Sequence, residues 1–450
     1  MSIEPALPST RISLPSAVHP DHPEYDAHRL SFNGLLDRRP AAIVPCTTTT
    51  EVVAAVRAAR AAVLPIAVRG GGHSVAGHAF ADGALVVSLA PMRGVTVDAG
   101  RRVADAGGGA LWEDVDSAAF AHGLAVPGGT FGDTGIGGLT LGGGIGWLLP
   151  VAGFTCDNLV EAEVVTAEGS VVIAGPDDDA ELLWALRGGG GNFGVVTRFT
   201  YRLTPIGPMF GGHIDYPASA AAAVHARIGE VVARWPTACA PFISMGRGED
   251  GTPEITFLLA VVDGSDGEAI AAALRRDLPV KAEDLGPRTY PELQEQNGIL
   301  PFGLRHYWKG HFVGGLDLPT FEALVEASVS PDAVEGNFIL LEGITGAGRE
   351  EPAGGAAFGQ RSAAWNASAL AIWENPEVDD VAIGWSRRVA DILAPASLTG
   401  GGYVNYAPVD ETPDRVRAAY GPDRWDRLVA VKRRLDPENV FRFNHNIRPD

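Results

Sequence analysis

Between Pro127 and Trp147 the chain places ten glycines in twenty-one residues. Such a stretch loses more backbone entropy on folding than any other composition, so it folds only if something orders it. Leu139, Leu141, Ile145 and Trp147 are spaced through it, and a flexible linker has no use for side chains of that kind. The reading is an ordered loop packed against a flat, partly apolar ligand. Two further clusters, Arg69-Gly70-Gly71-Gly72-His73-Ser74 and Gly188 to Gly194, share this character. The 57 glycines of the 450 residues exceed the usual share of about 7%. Their clustering argues for cradles around a ligand rather than low complexity.

The remaining composition narrows the classes of function. A chain of this length predicts two or three domains. The balance of 35 basic against 55 acidic residues leaves a net charge of −20, which repels phosphate backbones and excludes nucleic-acid binding as an expectation. Cys46, Cys156 and Cys239 are too few for a disulfide framework. No pair is spaced for zinc, and His19, His22 and His28 lie in a proline-bearing arm without a ligand set, so no metal is assigned. The N-terminus carries no apolar signal region and no run approaches a membrane span. A soluble protein of a microbial cytoplasm is expected.

Residues 1–36 read as a loose arm. Thr48-Thr49-Thr50-Glu51 opens a helix by a capping-box pattern. Strands are expected from Pro65 to Arg69 and from Ala84 to Leu89. Hairpins turn at Ala99-Gly100 and Glu168-Gly169, and a helix capped by Asp177 to Asp179 precedes the strand VVTRFTYRL. Near Pro205 the texture changes to alternating helices and strands. The expected division is a cofactor domain over 37–205, a substrate domain over 206–400 and a returning segment over 401–450.

Gly189-Gly190-Gly191-Asn192-Phe193-Gly194 matches G-x-G-x-x-G, but a helix precedes it and a strand follows. A dinucleotide fingerprint demands the reverse order, so a nicotinamide site is rejected there. A tight turn and direct cofactor contact are equally open readings. Arg69 to Ser74 follows a strand and offers consecutive unshielded N–H groups, an anion nest. His73 and Cys156 each follow a glycine-rich stretch and each is a nucleophile, which suggests a flavin tethered at two points. In Tyr403-Val404-Asn405-Tyr406, read as an extended strand, Tyr403 and Asn405 share one face and Tyr406 the other; a tyrosine can serve as general base. Arg305, Tyr307 and Lys309 alternate along one strand face and are candidates to line a substrate cavity.

Six strings in this order, RGGGHSVAGH, TGIGGLTLGGGIGW, GFTCDNLVEAEVVTAEG, LWALRGGGGNFGVVT, YVNY and DPENVFRFNHNI, resemble the berberine-bridge-enzyme-like FAD-linked oxidases of the vanillyl-alcohol-oxidase/PCMH superfamily. The resemblance spans about Pro40 to Pro449. It implies an α+β fold: a PCMH-type FAD-binding domain of two α+β subdomains, and a substrate domain with an antiparallel sheet flanked by helices. By position, His73 would bond to the flavin 8α-methyl and Cys156 to ring carbon 6. Gly70, Gly71, Gly72 and Ser74 would wrap the pyrophosphate, and Arg69 and Gly77 would also bind the cofactor. Gly128, Thr134, Gly137, Gly138 and Gly144 would line the flavin, Val196 the adenosine end and Asn446 the pyrimidine side. Tyr406 would be the base and Tyr403 a substrate neighbour. Leu159 would stand at the oxygen gate. The implied reaction is hydride transfer from a hydroxylated small molecule (a sugar, phenolic or polyketide alcohol, or amine) to flavin N5, with O2 reduced to H2O2. A dehydrogenase using another acceptor, an oxidative cyclase and a flavin carrier without turnover are the alternatives.

Overall fold

The protein is described here from a computed structural model covering residues 12–262, 266–299 and 301–450. The helix Thr49–Ala61 begins where the capping pattern predicts. Thr48 stays extended and its hydroxyl accepts the Glu51 N–H, satisfying a donor that the helix cannot. Val52, Ala55, Val56 and Ala59 form its buried face. That face packs on a three-stranded parallel sheet ordered Ala42–Pro45, Leu85–Ser88, Ile66–Arg69. The central strand is buried along its whole length, which is why it reads as an unbroken apolar run.

A second sheet is antiparallel and ordered Val95–Asp98, Val103–Gly107, Val195–Arg202, Leu159–Val165, Val171–Ala174. Both expected hairpins are present. Arg102 and Gly169 hold positive φ in their turns, the conformation such tight connections require. Tyr201 of the middle strand shares a 2.7 Å hydrogen bond with the hydroxyl of Thr140. This bond pins the glycine-rich stretch to the sheet, within which Ile136–Leu141 forms a short helix.

The third sheet has seven antiparallel strands, ordered Ala282–Arg288, Met209–Pro217, Pro253–Val261, Cys239–Arg247, Phe338–Gly343, Trp365–Trp373, Arg305–Val313. Helices Ala221–Arg234, Leu318–Ser328 and Asp379–Leu393 cover one face through a shared apolar core. The opposite face is turned toward the glycine-rich loops. No described helix is long and apolar enough to cross a membrane.

Of the arm expected to be loose, residues 1–11 lie outside those described, and the part from Ile12 onward is anchored at Ile12, Val18, Tyr25, Phe32 and Asn33, which are buried. Val18 bridges Ile43, and the buried Tyr25 donates its hydroxyl to the Pro40 carbonyl at 2.6 Å. The amide of Asn33 donates to the carbonyls of Val75 and His306. Proline prevents regular structure in such a segment, but not burial. At the other terminus Lys432 is fully buried, donating to Asp436 at 2.6 Å and to the carbonyls of Asn192 and Phe441. It clamps the helix Pro422–Leu435 to the glycine turn before Val195–Arg202.

Candidate active site

A cavity of about 610 Å³ lies between the glycine loops and the open face of the seven-stranded sheet. Part of its wall is bare backbone. A Cβ on Gly71 would stand 2.5 Å from the Gly135 Cα, so these two loops meet in a way only glycine allows. Gly70 to Ser74, Thr134, Gly137, Gly138 and Val196 line this part, joined by Gly190, Gly191 and Asn192. The reversed G-x-G-x-x-G is therefore both a turn, with positive φ at Gly190 and Gly194, and a cavity wall. Around it the Arg69 Nε, the His78 Nε2 and the Asn444 Oδ1 are buried with no partner among the described residues. Native interiors rarely leave such atoms unpaired. A long cradle with bare backbone and orphaned polar atoms fits an elongated, phosphate-bearing ligand such as FAD.

His73 belongs to this same stretch of the lining. Burial, against a hydrogen bond to the Asp133 backbone and with help from Arg69, pushes its imidazole down to about 4. The ring is stacked on Phe32 at 4.7 Å and meets Phe302 edge-on at 5.0 Å. Its Nε2 is 3.6 Å from a carboxylate oxygen of Asp133. Since the ring is neutral near pH 7, this is a polar contact, not an ion pair. A neutral, unprotonated imidazole nitrogen is the nucleophilic form.

Tyr406 also borders the cavity, in one apolar cluster with Phe32 and Trp308. Tyr403-Val404-Asn405-Tyr406 is not a strand: Val404–Tyr406 forms one 3-10 turn. Asn405 secures this turn by donating to the Leu139 carbonyl and the Tyr403 hydroxyl. The Tyr406 hydroxyl donates to Glu342 at 3.0 Å, and the Asn366 amide donates to the other Glu342 oxygen at 2.6 Å. Burial pushes Glu342 up to about 7, although both hydrogen bonds oppose that. Burial and the neighbouring Glu342 charge push Tyr406 well above 10.

Several expected residues stand elsewhere. Cys156 does not reach the cavity. It is wholly buried among Trp147, Leu149, Phe154 and Phe358, with burial raising its thiol well above 9. Its turn, Thr155–Asn158, is held inward by Asp157, which accepts the Phe154 N–H and pairs with Arg361. Arg305, Tyr307 and Lys309 share a strand face as expected, but it is the face away from the cavity. Arg305 pairs with Asp379, the Tyr307 hydroxyl lies between Asp410 and Arg387, and Lys309 pairs with Glu411. The alternate residue Trp308 lines the cavity instead. Tyr403 is spent on structure, its hydroxyl accepting the Gly144 N–H at 2.9 Å. Leu159 lies in the core beneath the five-stranded sheet and its carbonyl accepts Arg187, so it gates nothing at the cavity.

Five further positions stand outside the cavity lining. Gly77 and Gly128 avoid the side chains of Leu36 and Trp112, and Gly144 avoids Thr155. Asn446 and Arg69 lie just behind the lining residues, with Asn446 Oδ1 and Arg69 Nε unpartnered. The sequence reading missed Glu342, Asp133 and Phe32. Glu342 left a signal: it is the one charged residue in the apolar strand Phe338–Gly343, and a lone buried carboxylate marks a functional candidate. Phe32 left none, being one aromatic in an irregular arm.

The chain matches the FAD binding domain family model over residues 40–175 and the "berberine and berberine like" model over 402–448. It is 31% identical over 448 residues to (R)-6-hydroxynicotine oxidase of Paenarthrobacter nicotinovorans, covering 96% of each chain. It is 28% identical to the FAD-linked oxidoreductase aurO of Gibberella zeae, over 99% of this chain and 87% of that one. The crystal structure of 6-hydroxy-D-nicotine oxidase from Arthrobacter nicotinovorans superposes with a TM-score of 0.86 at 29% identity, over 98% of this chain and 99% of that one. Sequence and architecture agree with the cradle and the Tyr406 wall: the protein belongs to the berberine-bridge-enzyme-like family of FAD-linked oxidoreductases.

Proposed function

We propose that this oxidoreductase is an oxidase of a hydroxylated small molecule, with FAD tethered through His73 alone. The observation that carries the reading is the Tyr406–Glu342 hydrogen bond at the cavity wall. When bound, FAD supplies the two-electron acceptor, taking hydride from the substrate carbon and delivering the electrons to dioxygen as hydrogen peroxide.

The protein's own residues handle the proton. Tyr406 is too poor an acid to stand ionised, because burial and the Glu342 charge hold its proton on. It acts as a relay: its oxygen receives the substrate's hydroxyl proton as its own proton passes to Glu342. A carboxylate pushed up to about 7 is matched to that task near neutrality, where general bases work best. Asn366 fixes the carboxylate by holding its second oxygen. Trp308 meets Tyr406 edge-on at 5.1 Å and keeps bulk water from the hydroxyl. Phe32, Phe302 and Asp133 hold the neutral His73 ring in one orientation for bond formation.

The test is acid precipitation and intact mass of the purified holoprotein, with peroxide measured under air. Wild type and Cys156→Ser should both retain a flavin mass and a yellow pellet, whereas His73→Ala should lose both. Flavin loss from Cys156→Ser would overturn the single tether. Turnover supported by a dye acceptor but not by air would make the protein a dehydrogenase.

A further inference from the structure

The register of the seven-stranded sheet determines which side chains face the substrate end of the cavity. Trp308, Leu370 and Phe338 stand directly opposite one another on three adjacent strands. The next row holds Leu340, Ser244 and Thr256, and beside it Phe242 faces Leu258. All of them line the cavity. This wall is apolar except for two hydroxyls. That of Thr256 is already engaged, donating to Asp215 at 2.8 Å, which leaves Ser244. Glu342 offers no free charge, since Asn366 and Tyr406 occupy its two oxygens.

The same cavity lacks a countercharge. Among the described residues no lysine or arginine lines it. The histidines that do, His73, His78 and His445, are all held neutral by burial. One further donor is unpaired: the indole N–H of Trp308 is buried with no acceptor among the described residues, in a ring that lines the cavity beside Tyr406.

We propose that the substrate is an uncharged, flat, mostly apolar molecule of the aromatic-alcohol class, carrying one acceptor oxygen for Trp308, and is neither a sugar nor a carboxylic acid. This rests on the reading of Tyr406 as the group that receives the substrate's hydroxyl. A hexose brings several hydroxyls, of which this wall satisfies about two. Each polar group buried without a partner weakens binding by roughly tenfold or more. A carboxylate would enter an apolar, cation-free space, where an unpaired charge is excluded more strongly still. An aromatic ring system fills the space between Phe338, Trp308 and Leu340 with no unpaired group.

The experiment uses the FAD-loaded protein and four probes: 2-naphthylmethanol, its twin 6-(hydroxymethyl)-2-naphthoate, glucose and cellobiose. Binding is read anaerobically from the visible flavin band and from tryptophan fluorescence, and turnover separately. Naphthylmethanol should bind about 100-fold or more tighter than the other three. Phe338→Asn should reduce that preference about tenfold by offering the wall a polar group. Equal binding of the carboxylate twin, preferential binding of either sugar, or no binding of naphthylmethanol overturns the proposal. Naphthylmethanol that binds selectively but is never oxidised leaves the substrate class standing and removes the oxidase reading. A sugar that is efficiently oxidised does the reverse.

Discussion

Replacing Glu342 by Gln separates what the site costs from what it does. The carboxyl is buried at 1% exposure and pushed from 4.5 up to about 7. A folded-state pKa above the unfolded value means that its favourable contribution is complete below about pH 4.5 and is lost as pH rises through 7. The loss amounts to roughly 3 kcal/mol once the group is ionised. Glutamine keeps an acceptor for Tyr406 and never ionises. Glu342→Gln should therefore match wild type in stability at pH 4.5 and exceed it by about 3 kcal/mol at pH 8. Thermal and urea unfolding at both pH values measure this gap. The same change should lower kcat about 10²–10⁴-fold and abolish a rise in kcat through pH 7 that wild type shows. Tyr406→Phe should lose turnover similarly, and the double variant should lose little more, because the two groups act as one relay. Equal stability of wild type and variant at pH 8, or a pH limb near 7 that survives in Glu342→Gln, would refute the reasoning.

Three other perturbations test separate parts of the structure. Asp116, pushed up to about 8 by burial despite its hydrogen bond from Gln294, loses its contribution as pH rises from about 4 to 8. Asp116→Asn should thus gain roughly 4 kcal/mol at pH 7 and nothing at pH 4, a difference that paired unfolding curves detect. Lys432→Met leaves Asp436 buried without its cation and should destabilise the fold by about 3–5 kcal/mol; a shift in the urea midpoint worth less than 1 kcal/mol would show that the clamp is incidental. Gly71→Ala sets a Cβ against the Gly135 backbone, so flavin content measured after purification should fall sharply while far-ultraviolet circular dichroism stays near that of wild type.

The features legible in the sequence are local. The Thr48 cap, the turns at Ala99-Gly100 and Glu168-Gly169, and the three glycine clusters each depend on residues within a few positions of one another, where backbone sterics dictate the outcome. That His73 stands among cavity-lining glycines follows from its loop for the same reason. What the chain alone left undecided is which way side chains face. Arg305, Tyr307 and Lys309 were seen to share a face, but only packing against Asp379–Leu393 decides that it is the outer one and gives the cavity to Trp308, since a shift of one residue exchanges the faces of a strand. Cys156 has a nucleophile's chemistry, but the Asp157–Arg361 pair turns its loop into the core. Glu342 and Tyr406 lie 64 residues apart, and no local spacing relates them. Their meeting requires the seven-stranded sheet to be assembled and the C-terminal segment to fold back across it, which is why this hydrogen-bonded pair belongs to tertiary structure.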